Sequence, residues 1–260
     1  PSVNSATCRD SVLARGFSGI NAGDRLIMLL SVVIPCFNEK GSVARFAAEL
    51  FRDLDALGAP YEVLAIDDGS ADGTGEALAA LGRPELKVLT HCRNRGLGAA
   101  LRTGFDAAQG DFIVTMDADL TFHPNQIRLL LEAQKATGAD LVSGSPFLEK
   151  GGLQGVPWSR RLPSFLLNAY YRGLFGRQLT AYTPIFRLYR APFLKSLALR
   201  SESFEINAEV AARFLLAGRK VAEIPVVLTA RTEGVSKLSR WRELKRHFIL
   251  IARLLSAPRD

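Results

Sequence analysis

The feature that most restricts how this chain folds is a series of short apolar runs, each stopping abruptly at acidic, proline, glycine or basic residues. Residues 112–116 (FIVTM) read as a buried strand, being apolar and β-branched, and they end in Asp117-Ala118-Asp119. Residues 29–35 (LLSVVIP), 61–66 and 86–90 repeat the pattern. Their ends are Pro35-Cys36-Phe37-Asn38-Glu39, Asp67-Asp68-Gly69-Ser70 and Arg93-Asn94-Arg95-Gly96-Leu97-Gly98. Pro35 cannot donate to a ladder, so the chain is expected to leave the sheet there. Between these runs the apolar residues adopt a helical period. Val43, Phe46, Ala47, Leu50, Leu54 and Leu57 form one stripe, stopped by Gly58-Ala59-Pro60, and Ser70 or Asp72 is placed to cap a helix reaching about Leu81. Further helices are expected from Gly98 to Ala108 and over 125–137, then a fifth strand over 140–145. Such alternation implies an α/β fold of parallel β-α-β units, whose ligands bind beyond the carboxyl ends of the strands.

After Ser145 the pattern changes. A Gly-rich loop (147–157) precedes a helix over 158–176, in which Arg160, Arg161 and Arg172 stand among Phe165, Leu166, Leu167, Tyr170, Tyr171, Leu174 and Phe175. Residues 186–189 read as extended, 205–216 as a helix and 220–228 as a strand. Trp241, Leu244, Phe248, Ile251 and Leu255 form a final stripe beside Arg242, Lys245 and Arg246, as in a basic amphipathic helix that lies on anionic lipid or packs on its own domain. The expected organisation is a poorly ordered tail over 1–28, one domain over 29–238 and a basic amphipathic helix over 239–260.

In these 260 residues a formal charge of +7 suits an anionic partner, and no groove-reading motif points to nucleic acid. Cys8, Cys36 and Cys92 are odd in number and lack C-x-x-C spacing, so neither a disulfide framework nor a zinc site is expected and a cytoplasmic location fits. No apolar run approaches the roughly 18 to 20 residues of a spanning helix.

Residues two apart in a strand share a side, so Asp117 and Asp119 face one site if the extended geometry persists. Two facing carboxylates repel unless a cation or strong donors lie between them, which suits a hard divalent metal; a solvated acidic turn is the other reading. Asp68 is either a ribose or base ligand or a turn and helix-cap residue, and Glu39 is a helix-start carboxylate. Gly96-Leu97-Gly98 opens a helix after a strand, which makes Gly98 a substrate-binding candidate, but Leu101 stands where the dinucleotide fingerprint needs a third Gly or Ala. His123, beside a proline in a loop, reads as structural.

Taken in order, SVVIPCFNE (31–39), IDDGSADGT (66–74), NRGLGAALRTGF (94–105), MDADLTFHP (116–124), FEINAEVAARFLLAGRKVAEIPV (204–226) and RTEGVSK (231–237) resemble a family 2 glycosyltransferase of GT-A fold, a mostly parallel sheet flanked by helices. The group they resemble is the dolichol or polyprenyl phosphate mannose synthases, over residues 31–238. The resemblance implies that Pro35, Phe37, Glu39 and Asp68 hold the nucleotide of a nucleotide-diphosphate sugar, and that Asp117 and Asp119 hold its diphosphate through Mg2+ or Mn2+. It places Arg231, Ser236 and Lys237, with Arg187 as a further candidate, on phosphates of the donor and of a polyprenyl phosphate acceptor. It implies transfer with inversion, at the cytoplasmic face of a membrane to which the protein attaches peripherally. A phosphate acceptor is already anionic and needs no strong base. Two departures fall on the expected sugar and acceptor side: Pro146 replaces an arginine, and Ala181 replaces an acid in AYTPIFR (181–187). They leave open a polysaccharide or other lipid acceptor, or a catalytically silent nucleotide-sugar-binding protein.

Overall fold

A strand buried on both faces needs a covering layer on each side, and the apolar runs find one in the helical segments that alternate with them. The computed structural model describes residues 28–155, 158–229 and 240–256. The expected tail, apart from Met28, and Arg231, Ser236 and Lys237 lie outside these residues. The chain runs through β1 (Leu30–Cys36), α1 (Lys40–Arg45), a π-helical turn (Phe46–Leu50), α2 (Phe51–Asp55), β2 (Tyr61–Asp67), α3 (Thr74–Ala79), β3 (Leu86–Thr90), α4 (Leu97–Ala107) and β4 (Phe112–Thr115). A 3-10 turn (Pro124–Gln126) leads into α5 (Ile127–Thr137), β5 (Leu141–Ser145), β6 (Leu153–Gln154), α6 (Trp158–Phe175), β7 (Arg187–Arg190), α7 (Ala191–Ser196), α8 (Ile206–Leu216), β8 (Val221–Pro225), β9 (Leu228–Thr229) and α9 (Arg240–Ser256).

Seven strands form one sheet in the order β3-β2-β1-β4-β7-β5-β8, and β6 pairs with β9 in a small second sheet. All pairings in the large sheet are parallel except those of β7, which runs antiparallel to both β4 and β5. The chain lays β2 and β3 on one side of β1 and then returns to place β4 on the other. The gap between the ends of β1 and β4 is therefore a topological switch point, where ligands of such sheets bind. The register puts Cys36 opposite Asp67, Asp67 opposite Thr90 and Val33 opposite Thr115, so these strands finish along one edge.

Two apolar clusters, one on each face, hold the sheet. Val32, Ile34, Val63, Val114 and Leu188 meet the first helices and α5, whereas Val33, Leu64, Ile66 and Ile113 meet α4 and α8. Gly104 sets the approach of α4, because a Cβ there would lie 2.3 Å from Val33 Cγ1. A third cluster, with Tyr171, Tyr182, Ala208, Ala211, Leu250 and Leu254, joins α6, α8 and α9.

Several expectations change at their edges. Pro35 stays within β1. Leu30 N donates to Pro60 O on the β2 side, so odd positions of β1 direct their nitrogens toward β4, whose pairing stops at Thr115. The missing Pro35 donor therefore costs no ladder bond. The expected helix through Leu57 is broken by the π turn, where Phe51 N donates to Phe46 O; the extra residue helps bring Phe46, Leu50, Phe51 and Leu54 onto one core. The strand expected over 220–228 divides at Pro225 into β8 and β9. Cys36 is buried and free.

Gly104→Ala is expected to lower stability by about 1–3 kcal/mol, because the sheet must yield to the new methyl. Urea unfolding measures it, and the midpoint should fall while the denaturant slope stays unchanged.

Candidate active site

The ends of β1, β2 and β4 bring the sequence candidates to one rim, since neighbouring strands lie only about 4.8 Å apart. Phe37 is 42% exposed just beyond β1, and Glu39 stands at the start of α1, where its carboxylate accepts from Ser42 Oγ at 2.8 Å. Loops from β1 and β2 lock together: Asn38 N donates to Ser70 Oγ, Asn38 Oδ1 accepts from Ala71 N, and Asp72 accepts from Lys40 N and Thr74 N.

Asp68 is held by the loop that follows β3. It is 3% exposed, and its carboxylate accepts from Arg95 N at 2.9 Å and Gly96 N at 2.8 Å and lies 2.6 Å from His91 Nδ1. Its donors come from the loop after β3, so it builds the wall of the site. Gly98 is likewise committed: its amide donates to Glu202 O at 2.8 Å, and a Cβ would lie 2.1 Å from Ser201 O. The glycines of this turn let the 201–202 backbone approach the start of α4.

Asp117 and Asp119 lie beyond β4 in a turn closed by Leu120 N donating to Asp117 O at 3.2 Å, so the extended geometry stops before them. Asp119 Oδ1 accepts from Thr121 N at 3.1 Å, and the Asp119 carbonyl accepts from Arg45 at 2.8 Å. Both carboxylates are half-buried. Asp117 also lines a cleft of about 290 Å3 whose walls include Leu97, Phe122, Pro146, Phe147, Leu153, Ile185, Phe204 and Leu228, with Ser164, Thr183 and Asn207 as polar groups. The loops after β1 and β2 thus lie on one side of Asp117 and a largely apolar cleft on the other. Among the described residues no three His, Cys, Asp or Glu side chains group as a metal site. Two carboxylates at a rim form a partial, all-oxygen set, which suits a hard divalent ion that takes its remaining ligands from a diphosphate.

The sequence profile of glycosyl transferase family 2 matches residues 31–198. The chain belongs to that family. Among relatives, an undecaprenyl-phosphate 4-deoxy-4-formamido-L-arabinose transferase of Edwardsiella ictaluri (strain 93-146) is 31% identical over 237 residues, covering 90% of this chain and 70% of its own. A polyprenol monophosphomannose synthase of Mycolicibacterium smegmatis (strain ATCC 700084 / mc(2)155) is 34% identical over 218 residues, 80% of each chain. Glucosyl-3-phosphoglycerate synthase from Mycobacterium tuberculosis, solved with Mn2+, UDP and phosphoglyceric acid, superposes with a TM-score of 0.67 at 19% identity over 89% of this chain and 80% of that one. That likeness establishes the GT-A fold.

In this family 2 glycosyltransferase two residues of the expected sugar and acceptor side, Arg187 and Ala181, are buried in the fold. Arg187 is fully buried, and its guanidinium donates to Ser143 Oγ at 3.1 Å, Ala181 O at 3.2 Å and Asn207 O. It sits at the reversal of β7 between β4 and β5, where it ties strand, loop and α8 together; it lines no described part of the cleft. Ala181, one of the two sequence departures, is buried beside it, while Pro146, the other, does line the cleft. On α8, Glu209 is fully buried and accepts from Arg200 N, Ser201 N and Arg213. Burial alone would raise its pKa, but bonds from Ser201 and the charge of Arg253 hold it below the usual range. His247, buried and 2.8 Å from Tyr171 Oη, is pushed down to about 4 by burial. Asn207 and His91 escaped the sequence reading; the first lies inside the 204–226 block and the second directly beyond a strand end.

Arg187→Met should cost about 3–5 kcal/mol in chemical unfolding, because buried acceptors lose their donor; a surface phosphate ligand would leave stability nearly unchanged. The depressed pKa of Glu209 contributes stability that is present above the unfolded value near 4.5 and is lost as pH falls through the folded value. Glu209→Gln should therefore reduce stability at pH 7 and flatten the acid limb of its pH profile.

Proposed function

We propose that this enzyme transfers a sugar from a nucleotide-diphosphate sugar to a polyprenyl phosphate, with inversion, at the cytoplasmic face of a membrane. The observation that carries the reading is the position of Asp117, between the rim formed by the ends of β1 and β2 and the apolar cleft. The two relatives bear the names of an undecaprenyl-phosphate transferase and a polyprenol monophosphomannose synthase. Phe37 and Glu39 border the nucleotide, while Pro35 and Asp68 fix the loops that hold it. Asp117 and Asp119 would hold Mg2+ or Mn2+, which supplies positive charge to the departing diphosphate. Arg231, Ser236 and Lys237, outside the described residues, are assigned to the phosphates of donor and acceptor. A phosphate acceptor arrives as an anion, so no base is assigned.

Membrane attachment is read from α6 and α9. Leu162, Phe165, Leu166 and Tyr170 are 44–58% exposed on α6, and Trp241 (82%), Phe248 (54%) and Leu255 (59%) are exposed on α9. Tyr170 and Phe248 lie 6.1 Å apart and join the two faces. Arg242 and Lys245 are exposed beside them, whereas Arg246 turns to Glu243 at 3.3 Å. The stripe expected on α9 therefore divides, with His247, Leu250, Ile251 and Leu254 inward and Trp241, Phe248 and Leu255 outward. Among the described residues no helix is long and apolar enough to cross a membrane. Such a face, with flanking cations, suits an anionic bilayer surface.

Incubation with radiolabelled UDP- and GDP-sugars and polyprenyl phosphate should give a lipid-linked product that Asp119→Asn reduces by about 100-fold or more. No lipid-linked product from any donor would sink the acceptor assignment. In liposome flotation the protein should rise with anionic vesicles, and Trp241→Glu with Phe248→Glu should leave it in the bottom fraction.

A further inference from the structure

The turn that carries the acidic pair is held from outside the sheet by one short helical segment. Arg45, the last residue of α1, donates to the Asp119 carbonyl at 2.8 Å while its Nε and second terminal nitrogen grip Glu49 at 2.8 and 3.0 Å. Glu49 lies within the π-helical turn, whose extra residue shifts the phase of α2 relative to α1. At the other end of the acidic turn, His123 lies 3.5 Å from Glu49 and 3.3 Å from Asp53. Residues 119 and 123 are thus fastened to the same segment. Between them Leu120 is 3% exposed with φ of 52°, a left-handed conformation that leucine adopts only where its surroundings force it.

We propose that Arg45 is a positioning residue for the metal-diphosphate site: its planar fork, anchored on Glu49, fixes the backbone at Asp119 and so the direction of that carboxylate. This rests on the reading of Asp119 as a metal ligand. The arrangement suits arginine because one side chain must satisfy a carboxylate and a carbonyl together, and a lysine ammonium lacks that fork. A stabilising role alone does not account for it. The Arg45 side chain is 42% exposed, where an ion pair adds little to folding.

The test is Mn2+ affinity, measured by water-proton relaxation enhancement in one series with UDP and another with GDP. Arg45→Ala should raise the half-saturating Mn2+ concentration about tenfold, the scale at which groups supporting a metal ligand act, with Tm falling by no more than about 4 °C. Arg45→Lys should recover only part of the affinity. Arg52→Ala, which removes an exposed partner of Asp53, should match the wild type. Glu49→Gln provides a second route, loosening the anchor while leaving Arg45 in place, and its Mn2+ midpoint must also rise. Wild-type Mn2+ affinity in Arg45→Ala, alongside a loss in Asp119→Asn, would overturn the positioning role. Unchanged affinity in Asp119→Asn would overturn the metal reading itself, and this proposal with it.

Discussion

Loops that leave parallel strands along one edge carry amides that belong to no ladder, and in this protein carboxylates take several of them up. Asp67 accepts from Ser70 N, Asp68 from Arg95 N and Gly96 N, Asp72 from Thr74 N and Lys40 N, and Asp119 from Thr121 N. The same side chains that close the loops therefore concentrate negative charge beside the switch point between β1 and β4. A carboxylate supplied with several amide donors stays in place, and this shapes the rim before any ligand arrives. It also explains the division among the acids: Asp68 is consumed as structure, while Asp117 keeps a side on the cleft.

The opposite half of the sheet depends on a buried cation. Reversal of β7 brings Arg187 level with Thr115 and Ser143, and its guanidinium joins β5, the 181 loop and Asn207 of α8. Glu223 of β8 accepts from the amides of Thr180 and Ala181 nearby. Burial raises its pKa, and those amides and Arg187 offset part of that rise. Thr183 and Ile185, which line the cleft, belong to the segment held between these groups. Tyr182 extends the link outward: its amide donates to Asn168 of α6 and its ring stacks on Tyr171, which meets His247 of α9. Cleft floor and exposed helices are therefore one packed unit.

Much of the fold was legible because each strand end carries its own stop signal: residues 86–90 formed β3 as expected, and β2, β4 and β5 began or ended within a residue or so of expectation. Long-range demands escaped notice. Nothing local in residues 43–57 announces a π turn, since it answers the packing of Leu50 and Phe51 on a core assembled from distant strands. Arg187 was a phosphate candidate only through the family resemblance, and nothing local in residues 186–189 signals that this strand will be enclosed by β4 and β5. The partners of Asp68 were out of reach for a related reason: they sit 23 to 28 residues onward, at His91, Arg95 and Gly96. The single stripe expected on α9 missed the division for the same reason, because Leu250, Ile251 and Leu254 are drawn inward by Tyr171, Ala208 and Ala211, which lie far away in sequence.

The chemistry assigned to this enzyme rests on the rim at Asp117 and Asp119 binding a nucleotide diphosphate through a divalent ion. Thermal unfolding with UDP and with GDP, each with and without Mn2+, addresses it most directly, because a ligand bound only to the folded state raises the transition temperature. A rise that needs both nucleotide and Mn2+, and that vanishes in Asp119→Asn, is expected. An equal rise without Mn2+, retained in Asp119→Asn, would contradict it.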